Sequence, residues 1–251
     1  VKTAKRVLAW FSSGAASAVM CKLELDTPGL EIVNCDLGSS EDEDNHRFLL
    51  DCEKWFGRPI TRIRSADFAN IDEVFEKRKY LSGIAGAPCT AEMKVVPRMN
   101  YEYPWDAHLF GYTADQRDVE RAKNLQERYS EWEIRFPLIE RGLTKAACFA
   151  LLEDAGIKRP RIYDMGYPNG NCPGCVKATS PDYWALVRLR HPEVFARRAE
   201  QSRRFGARLA RLNGERVFID EIPEDWPILD PQVSACDFLC AIAKQDMGEA
   251  A

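Results

Sequence analysis

Three cysteines and one serine-glycine turn are the residues of this chain whose types and spacing could carry chemistry. Cys172 and Cys175 stand in NCPGCVKA at CxxC spacing, which lets two thiolates reach one metal from a tight Pro-Gly turn. Cys89, in GAPCTAEMKVVPR, falls where a loop enters a helix and is a third candidate. Three thiolates and one open position suit a 4Fe-4S cluster whose fourth iron binds substrate, sulfide or an outside ligand. A closed zinc site wants a fourth ligand, and His46 or His108 would complete it only if the fold brings them close. A redox dithiol is the other functional reading of the CxxC pair.

The second feature is VLAWFSSGAASAVM, from Val7 to Met20, where an apolar run breaks at Ser12, Ser13 and Gly14 and a helical pattern starts at once. Successive backbone N–H groups and a helix N-terminus then surround one point, an arrangement that favours an anion, and Ser12, Ser13 and Ser17 can add hydroxyl donors. A plain strand-to-helix turn shares this pattern. Asp36, in NCDLGSSEDEDNHRFLLD, stands where a carboxylate can meet a ribose hydroxyl or an adenine edge, or can simply cap a turn. Gly38 permits a tight turn there.

The elements that must position these residues alternate along the chain. Strands are expected at Arg6 to Phe11, Glu31 to Leu37 and Ile60 to Arg64, and helices at Ser17 to Asp26 and Glu41 to Phe56. A further strand is expected in AHLFGYT, with a helix through ADQRDVERAKNLQERY. Another strand and helix follow in EIRFPLIERGLTKAACFALLEDAG, with Thr144 as N-cap and Gly156 as stop. Such alternation implies crossover helices: an α/β fold with a doubly wound, mostly parallel sheet flanked by helices. Near residue 180 the character changes to arginine-rich helical sequence, then a short strand-like ERVFIDEI and an irregular tail. The expected organisation is thus a nucleotide-binding domain over residues 1–180 and a helical C-terminal extension over 181–251 packed on it.

At 251 residues the chain can bury a proper core. No apolar run is long enough to span a bilayer, and VKTAKRVLAW lacks the apolar core and cleavage site of a secretory signal, so a cytoplasmic protein without membrane contact is expected. Nine cysteines in that setting argue against a disulfide scaffold, and Cys21, Cys52 and Cys148 read as small buried hydrophobes. The net charge of −4 is mild, yet between Arg188 and Arg216 arginines greatly outnumber acids, with Trp184 and Phe205 within or beside the stretch. That is either an RNA- or DNA-attracting surface over 188–216 or a solvated helical face.

In their order, these segments resemble the phosphoadenosine phosphosulfate (PAPS) reductase family within the superfamily of PP-loop ATP pyrophosphatases. The resemblance runs from about Lys5 to Ala178 through FSSGAASA, NCDLGSSEDEDNHRFLLDCEKWFG, CTAEMKVVPR, LFGYTADQRDVERA, FPLIE and IYDMGYPNGNCPGC. It implies an adenine nucleotide, either ATP or an adenylyl sulfate such as PAPS, held by Ser12, Ser13, Gly14, Ser17, Asp36, Gly38 and Gly111. It also implies cluster ligation by Cys89, Cys172 and Cys175.

The chain departs from the family at several positions. Ala16 stands where the pyrophosphatases carry aspartate, which weakens metal-assisted cleavage of ATP; Mg2+ enters only if ATP is used. Cys89-Thr90 replaces adjacent cysteines, and Thr113-Ala114 replaces paired arginines, for which Arg117 and Arg121 are the candidate substitutes as helix-borne guanidiniums. The family's C-terminal Glu-Cys-Gly is absent, and SACDFLC, with Cys236 and Cys240, is the nearest substitute. The first expectation is therefore reductase-like chemistry on an adenylyl-linked sulfo group. Lys94 and Arg117 or Arg121 would neutralise the sulfate end, and a thiolate from Cys240 or from thioredoxin would attack sulfur. ATP-dependent, cluster-assisted thiolation of a nucleobase in RNA or DNA is the alternative, and a nucleotide-binding regulator without catalysis is the third. The oligomeric state stays open, a homodimer included.

Overall fold

A computed structural model describes residues 5–83 and 86–233. Its strands are β1 (Val7–Trp10), β2 (Leu30–Asp36), β3 (Thr61–Arg64), β4 (Ala107–Phe110), β5 (Glu133–Arg135), β6 (Ala210–Leu212) and β7 (Glu215–Val217). The first helices are α1 (Ala15–Leu23), α2 (Asp44–Phe56), α3 (Ile71–Arg78), α4 (Pro88–Thr90) and α5 (Val96–Tyr101), with a π turn at Ala91–Val95 between the last two. Then come α6 (Gln116–Arg128), α7 (Pro137–Glu140), α8 (Lys145–Asp154), α9 (Arg161–Asp164), α10 (Pro181–Arg190) and α11 (Pro192–Arg204). None of the described helices is long and apolar enough to cross a membrane.

Two compact units divide the chain, and they interleave in sequence rather than part at one point near residue 180. Of the described residues, one unit comprises those up to Asp36, Glu43–Arg64 and Pro97–Pro160; the other comprises those in Leu37–Asp42, Ser65–Val96 and from Arg161 to Val233.

The first unit holds a sheet of order β3-β2-β1-β4-β5 with every pair parallel. β1 reads VLAW and is buried along its whole length, as a central strand covered by helices on both faces requires. From β1 the chain steps outward to β2 and β3, then returns to place β4 on the other side of β1. The order therefore reverses between β1 and β4, and in open α/β sheets ligands bind beyond the strand ends at such a reversal. The α/β class and the parallel sheet follow the sequence expectation. Thr144 caps α8 by accepting from the Ala147 amide at 3.2 Å, and Gly57 closes α2 at φ 67°.

The second unit packs around its own apolar core, which includes Phe75, Met93, Ile162, Trp184 and Leu209. The arginine-rich stretch is two helices rather than one, because Pro192 cannot continue α10 and instead opens α11 at its first turn. The stretch also ends early: β6 and β7 form a hairpin turned by Asn213 (φ 49°) and Gly214 (φ 87°).

Candidate functional site

β1 runs out at Phe11, and the next residues make a compact clasp. Ser13 is buried at φ 54°, a left-handed conformation that costs a non-glycine residue about 1–2 kcal/mol. Asn34 of β2 holds this turn, donating to the Phe11 carbonyl at 2.9 Å and to the Ser13 hydroxyl at 3.4 Å. The Ser17 hydroxyl donates to the Gly14 carbonyl (2.9 Å) and accepts from the Ser12 amide (3.1 Å). Its single proton is thereby committed, so in the 3.1 Å contact between the two hydroxyls Ser12 is the donor. Ser17 is buried and ties the turn together, whereas Ser12 is exposed. Gly14 begins α1 with no side-chain cap, and the first turn of that helix contains no acid. These are the conditions under which a helix start accepts an anion.

Gly111, which follows β4, backs this turn. A Cβ placed on it would lie 2.6 Å from the Ser17 Cα and 2.8 Å from the Ser17 nitrogen, both backbone atoms that cannot step aside. The strand end and the first turn of α1 are thus in van der Waals contact because this residue has no side chain.

Beyond Gly111 the β4 loop gathers charge. The buried Thr113 places its hydroxyl 2.8 Å from Asp115 Oδ2 and 2.9 Å from Asp118 Oδ2, and its amide donates to Asp118 at 3.1 Å. Arg121 donates to Asp118 (2.6 Å) and lies 4.3 Å over the Tyr112 ring. Arg117 stands exposed in the first turn of α6. The Ala114 amide donates to the Leu143 carbonyl (2.8 Å), and the Lys145 amide donates to Asp115 (2.8 Å), so the start of α8 joins this cluster. Lys145 escaped the sequence reading, since a lysine beside an N-cap looks like ordinary surface. Burial pushes its ammonium below the usual amine range; Asp118 and Asp115 oppose that shift, and Arg117 adds to it.

Asp36 ends β2 in register with Arg64 of β3 and accepts from that guanidinium at 2.7 Å, so a ribose would share the carboxylate with Arg64. His108 is part of the core of the first unit. It stacks on Trp10 and Trp132, and its Nδ1 accepts from Trp10 Nε1 at 3.1 Å. Cys21, Cys52 and Cys148 are buried as expected.

The other expected site residues fall in the second unit. Gly38 has φ 60°, and a Cβ there would meet the Ala69 carbonyl at 2.2 Å, so this glycine serves a backbone approach within the protein. Lys94 lies in the π turn, a deformation frequent at functional sites. Cys89 and Cys172 pack partly buried against the core that also includes Cys175. The Cys172–Cys175 turn is built from behind. The Tyr183 hydroxyl, fully buried, accepts from the Cys175 amide (2.9 Å) and donates to the Cys172 carbonyl (3.4 Å). Arg198 donates to the Gly174 carbonyl (3.2 Å), and Gly174 adopts φ 68°. Even so, among the described residues no three His, Cys, Asp or Glu side chains are grouped to hold a metal ion, so the described geometry does not assemble the expected cluster site. Cys236 and Cys240 lie outside the described residues.

The arginines of 188–216 are largely engaged within the protein. Arg188 donates to the Ile222 carbonyl (2.9 Å), Arg197 pairs with Asp72 (3.1 Å), and Arg203 pairs with Asp220 (2.9 Å) and Glu221 (3.1 Å). Arg198 pairs with Asp72, and Arg204 with Glu76. Trp184 is a core residue whose Nε1 donates to the Ala178 carbonyl at 3.1 Å.

The five-stranded all-parallel sheet flanked by helices gives this chain a fold similar to that of a solved PAPS reductase. Among solved structures, the chain is similar to the phosphate complex of phosphoadenylyl-sulfate (PAPS) reductase from Candida auris. The two share 14% identity at a TM-score of 0.50 over 66% of this chain and 81% of the other. Neither a family model nor a curated protein matches the sequence.

Proposed function

We propose that this chain is an enzyme of sulfur metabolism that binds an adenine nucleotide at the ends of β1 and β4 and acts on an adenylyl-linked sulfo group. The observation that carries the reading is the clasp at the sheet reversal: a buried, left-handed Ser13, a helix start without cap or acid, and Gly111 pressed against it. Strain at a turn persists where the surroundings enforce it, and here they shape a cradle of the kind that receives phosphate oxygens. Ala16 leaves this cradle without the carboxylate that metal-assisted cleavage of ATP would use, which favours sulfo chemistry over adenylation. The similar solved structure is named as a PAPS reductase bound to phosphate, in keeping with an oxyanion ligand.

In this reaction a thiolate attacks the sulfo sulfur, a new S–S bond forms, and the S–O bond to the nucleotide phosphate breaks. A second thiol then releases sulfite and leaves a disulfide. The thiols would come from Cys240 or from a reductant of the thioredoxin kind. Arg117, Arg121 and Lys94 are assigned to the charge of the leaving group and the sulfate. Cys89, Cys172 and Cys175 are assigned to an iron-sulfur cluster on the resemblance of their sequence segments alone, since the described geometry does not group three ligands; no step is routed through it.

The test is product release by anaerobically purified protein. Sulfite from PAPS without consumption of ATP is the expected result. Pyrophosphate from ATP, stimulated by RNA or DNA, would replace this reading with nucleobase thiolation. Tight adenine nucleotide binding with neither product would replace it with a regulator.

A further inference from the structure

His191 stands between α10 and α11, and its backbone serves both: its amide donates to the Val187 carbonyl (2.8 Å) and its carbonyl accepts from the Phe195 amide (3.0 Å). These two helices brace the Cys172–Cys175 turn. Tyr183 reaches the turn from α10 and Arg198 reaches it from α11. α11 also closes over Gly174, where a Cβ would meet Val194 Cγ1 at 2.6 Å. The backbone bend at His191 therefore governs where both braces stand.

The His191 ring is held in its turn by two other segments. Its Nδ1 lies 2.9 Å from the Tyr167 hydroxyl, and its Nε2 lies 3.6 Å from Asp42 Oδ2. A carboxylate on the Nε2 side favours the proton there, which leaves Nδ1 to accept from Tyr167. Asp42 is buried and is fixed by the Arg161 guanidinium at 2.8 and 3.2 Å. Tyr167, also buried, sets its ring edge-on to that of Tyr183 at 5.8 Å. The contacts close a circuit that runs from the cysteine turn through Tyr183, Tyr167, His191 and Arg198 back to Gly174. A carboxylate, an imidazole and a phenol brought together out of water are costly unless each is bonded, and apolar side chains of the same size would fill the space. What the polar chain adds is a fixed direction for the histidine ring.

We propose that His191 is a positioning residue for the Cys172–Cys175 pair, and that the Asp42–His191–Tyr167 chain holds the turn in a shape that lets both thiols meet one thiophilic atom. All of these residues belong to the second unit, so the inference stands apart from the nucleotide reading.

The probe is phenylarsine oxide, whose arsenic takes two thiols: each thiol gives up its proton, two As–S bonds form, and the oxide oxygen leaves as water. It is titrated into the reduced full chain after chelator treatment, with the bridged residues mapped by mass spectrometry and urea unfolding as a check on folding. The wild-type protein is expected to take a single arsenical across Cys172 and Cys175. Tyr167→Phe, which removes one oxygen, and His191→Leu should each weaken that capture roughly three- to tenfold, the loss of about one hydrogen bond. His191→Asn keeps an amide oxygen that can stand in for Nδ1, and it should stay within about twofold of the wild type. Unchanged capture in folded Tyr167→Phe and His191→Leu would overturn the proposal, since the chain would then only fill the core. Equal losses in His191→Asn and His191→Leu would overturn it too, by tracing the effect to packing rather than to the bond with Tyr167. A wild-type protein whose arsenical does not bridge the two cysteines would remove the pair itself. Should His191→Leu not fold, Tyr167→Phe decides alone.

Discussion

Gly111 and Ser17 touch backbone to backbone: the space that a Cβ on Gly111 would need lies 2.6 Å from the Ser17 Cα. Neither atom belongs to a side chain that could rotate away, so Gly111→Ala must push β4 and the start of α1 apart. Overpacking of this kind costs about 1–3 kcal/mol. The expected result is a lower urea midpoint together with a loss of nucleotide affinity larger than the stability change explains. Wild-type affinity in Gly111→Ala would mean that the contact does not shape the cradle.

Ser13 gives the opposite kind of test. Its left-handed backbone is strained for serine and natural for glycine, so Ser13→Gly should keep or slightly raise stability. Ser13→Val adds a β-branched side chain at the same φ and should lose at least about 2 kcal/mol. Urea denaturation of the two variants decides; equal loss in both would place the cost in the hydroxyl that Asn34 meets rather than in the backbone.

The cysteine assignment has a visible readout. Anaerobic protein is expected to be brown with broad visible absorbance. Cys172→Ala should remove the chromophore, and Cys148→Ala should leave it, since Cys148 is buried with its thiol pushed up to about 11. A colourless wild-type protein would remove the cluster from the reading, and equal effects of the two variants would mean that other cysteines hold it.

Glu102 and His108 are expected to give the pH profile of stability opposing slopes. Glu102 lies 4.0 Å from His108, and burial pushes its carboxyl from 4.5 up to about 7, while burial and then Arg98 push His108 from 6.5 down to about 4. The folded state therefore holds a proton on Glu102 that the unfolded state releases, and stability from this group falls as pH rises from 4.5 to 7. For His108 the unfolded state binds the extra proton, so stability rises with pH from 4 to 6.5. Over the shared range the two cancel. Glu102→Gln should unmask the rise and His108→Gln the fall, each on the order of 1–3 kcal/mol. Unfolding free energies at pH 4.5 and 6.5 check both signs, and a flat profile in both variants would refute the pairing.

The first unit was legible because its signals are local. VLAW announces a buried strand, Ser-Ser-Gly breaks it, and Thr144 caps α8 where a capping residue should. What escaped depends on partners far along the chain. Lys145 reads as surface until Ala114 and Asp115 are seen to draw α8 against the β4 loop. For the arginine-rich stretch the sequence left a phosphate-attracting surface and a solvated helical face both open, and the acids that engage its arginines, Asp72, Glu76, Asp220 and Glu221, lie outside the stretch. Asn213-Gly214, by contrast, is a local hairpin signal that was present and passed over between the run assigned to helix and the strand-like ERVFIDEI. For Ser17, composition gives a hydroxyl, and only coordinates show that it donates to the Gly14 carbonyl within the turn.

The brace behind Gly174 bears on how the chain reaches its native state. Arg198 must bring together a turn 24 positions earlier and Asp72, 126 positions earlier, so the shape of the Cys172–Cys175 turn depends on some of the most distant closures in the chain. Contacts of such sequence separation form late, after the loop-closure entropy has been overcome. During synthesis the two thiols are made before the helix that carries Arg198, and they are expected to be more reactive until it docks. Ribosome-bound chains ending before Pro192 should show faster alkylation of both cysteines than the finished protein.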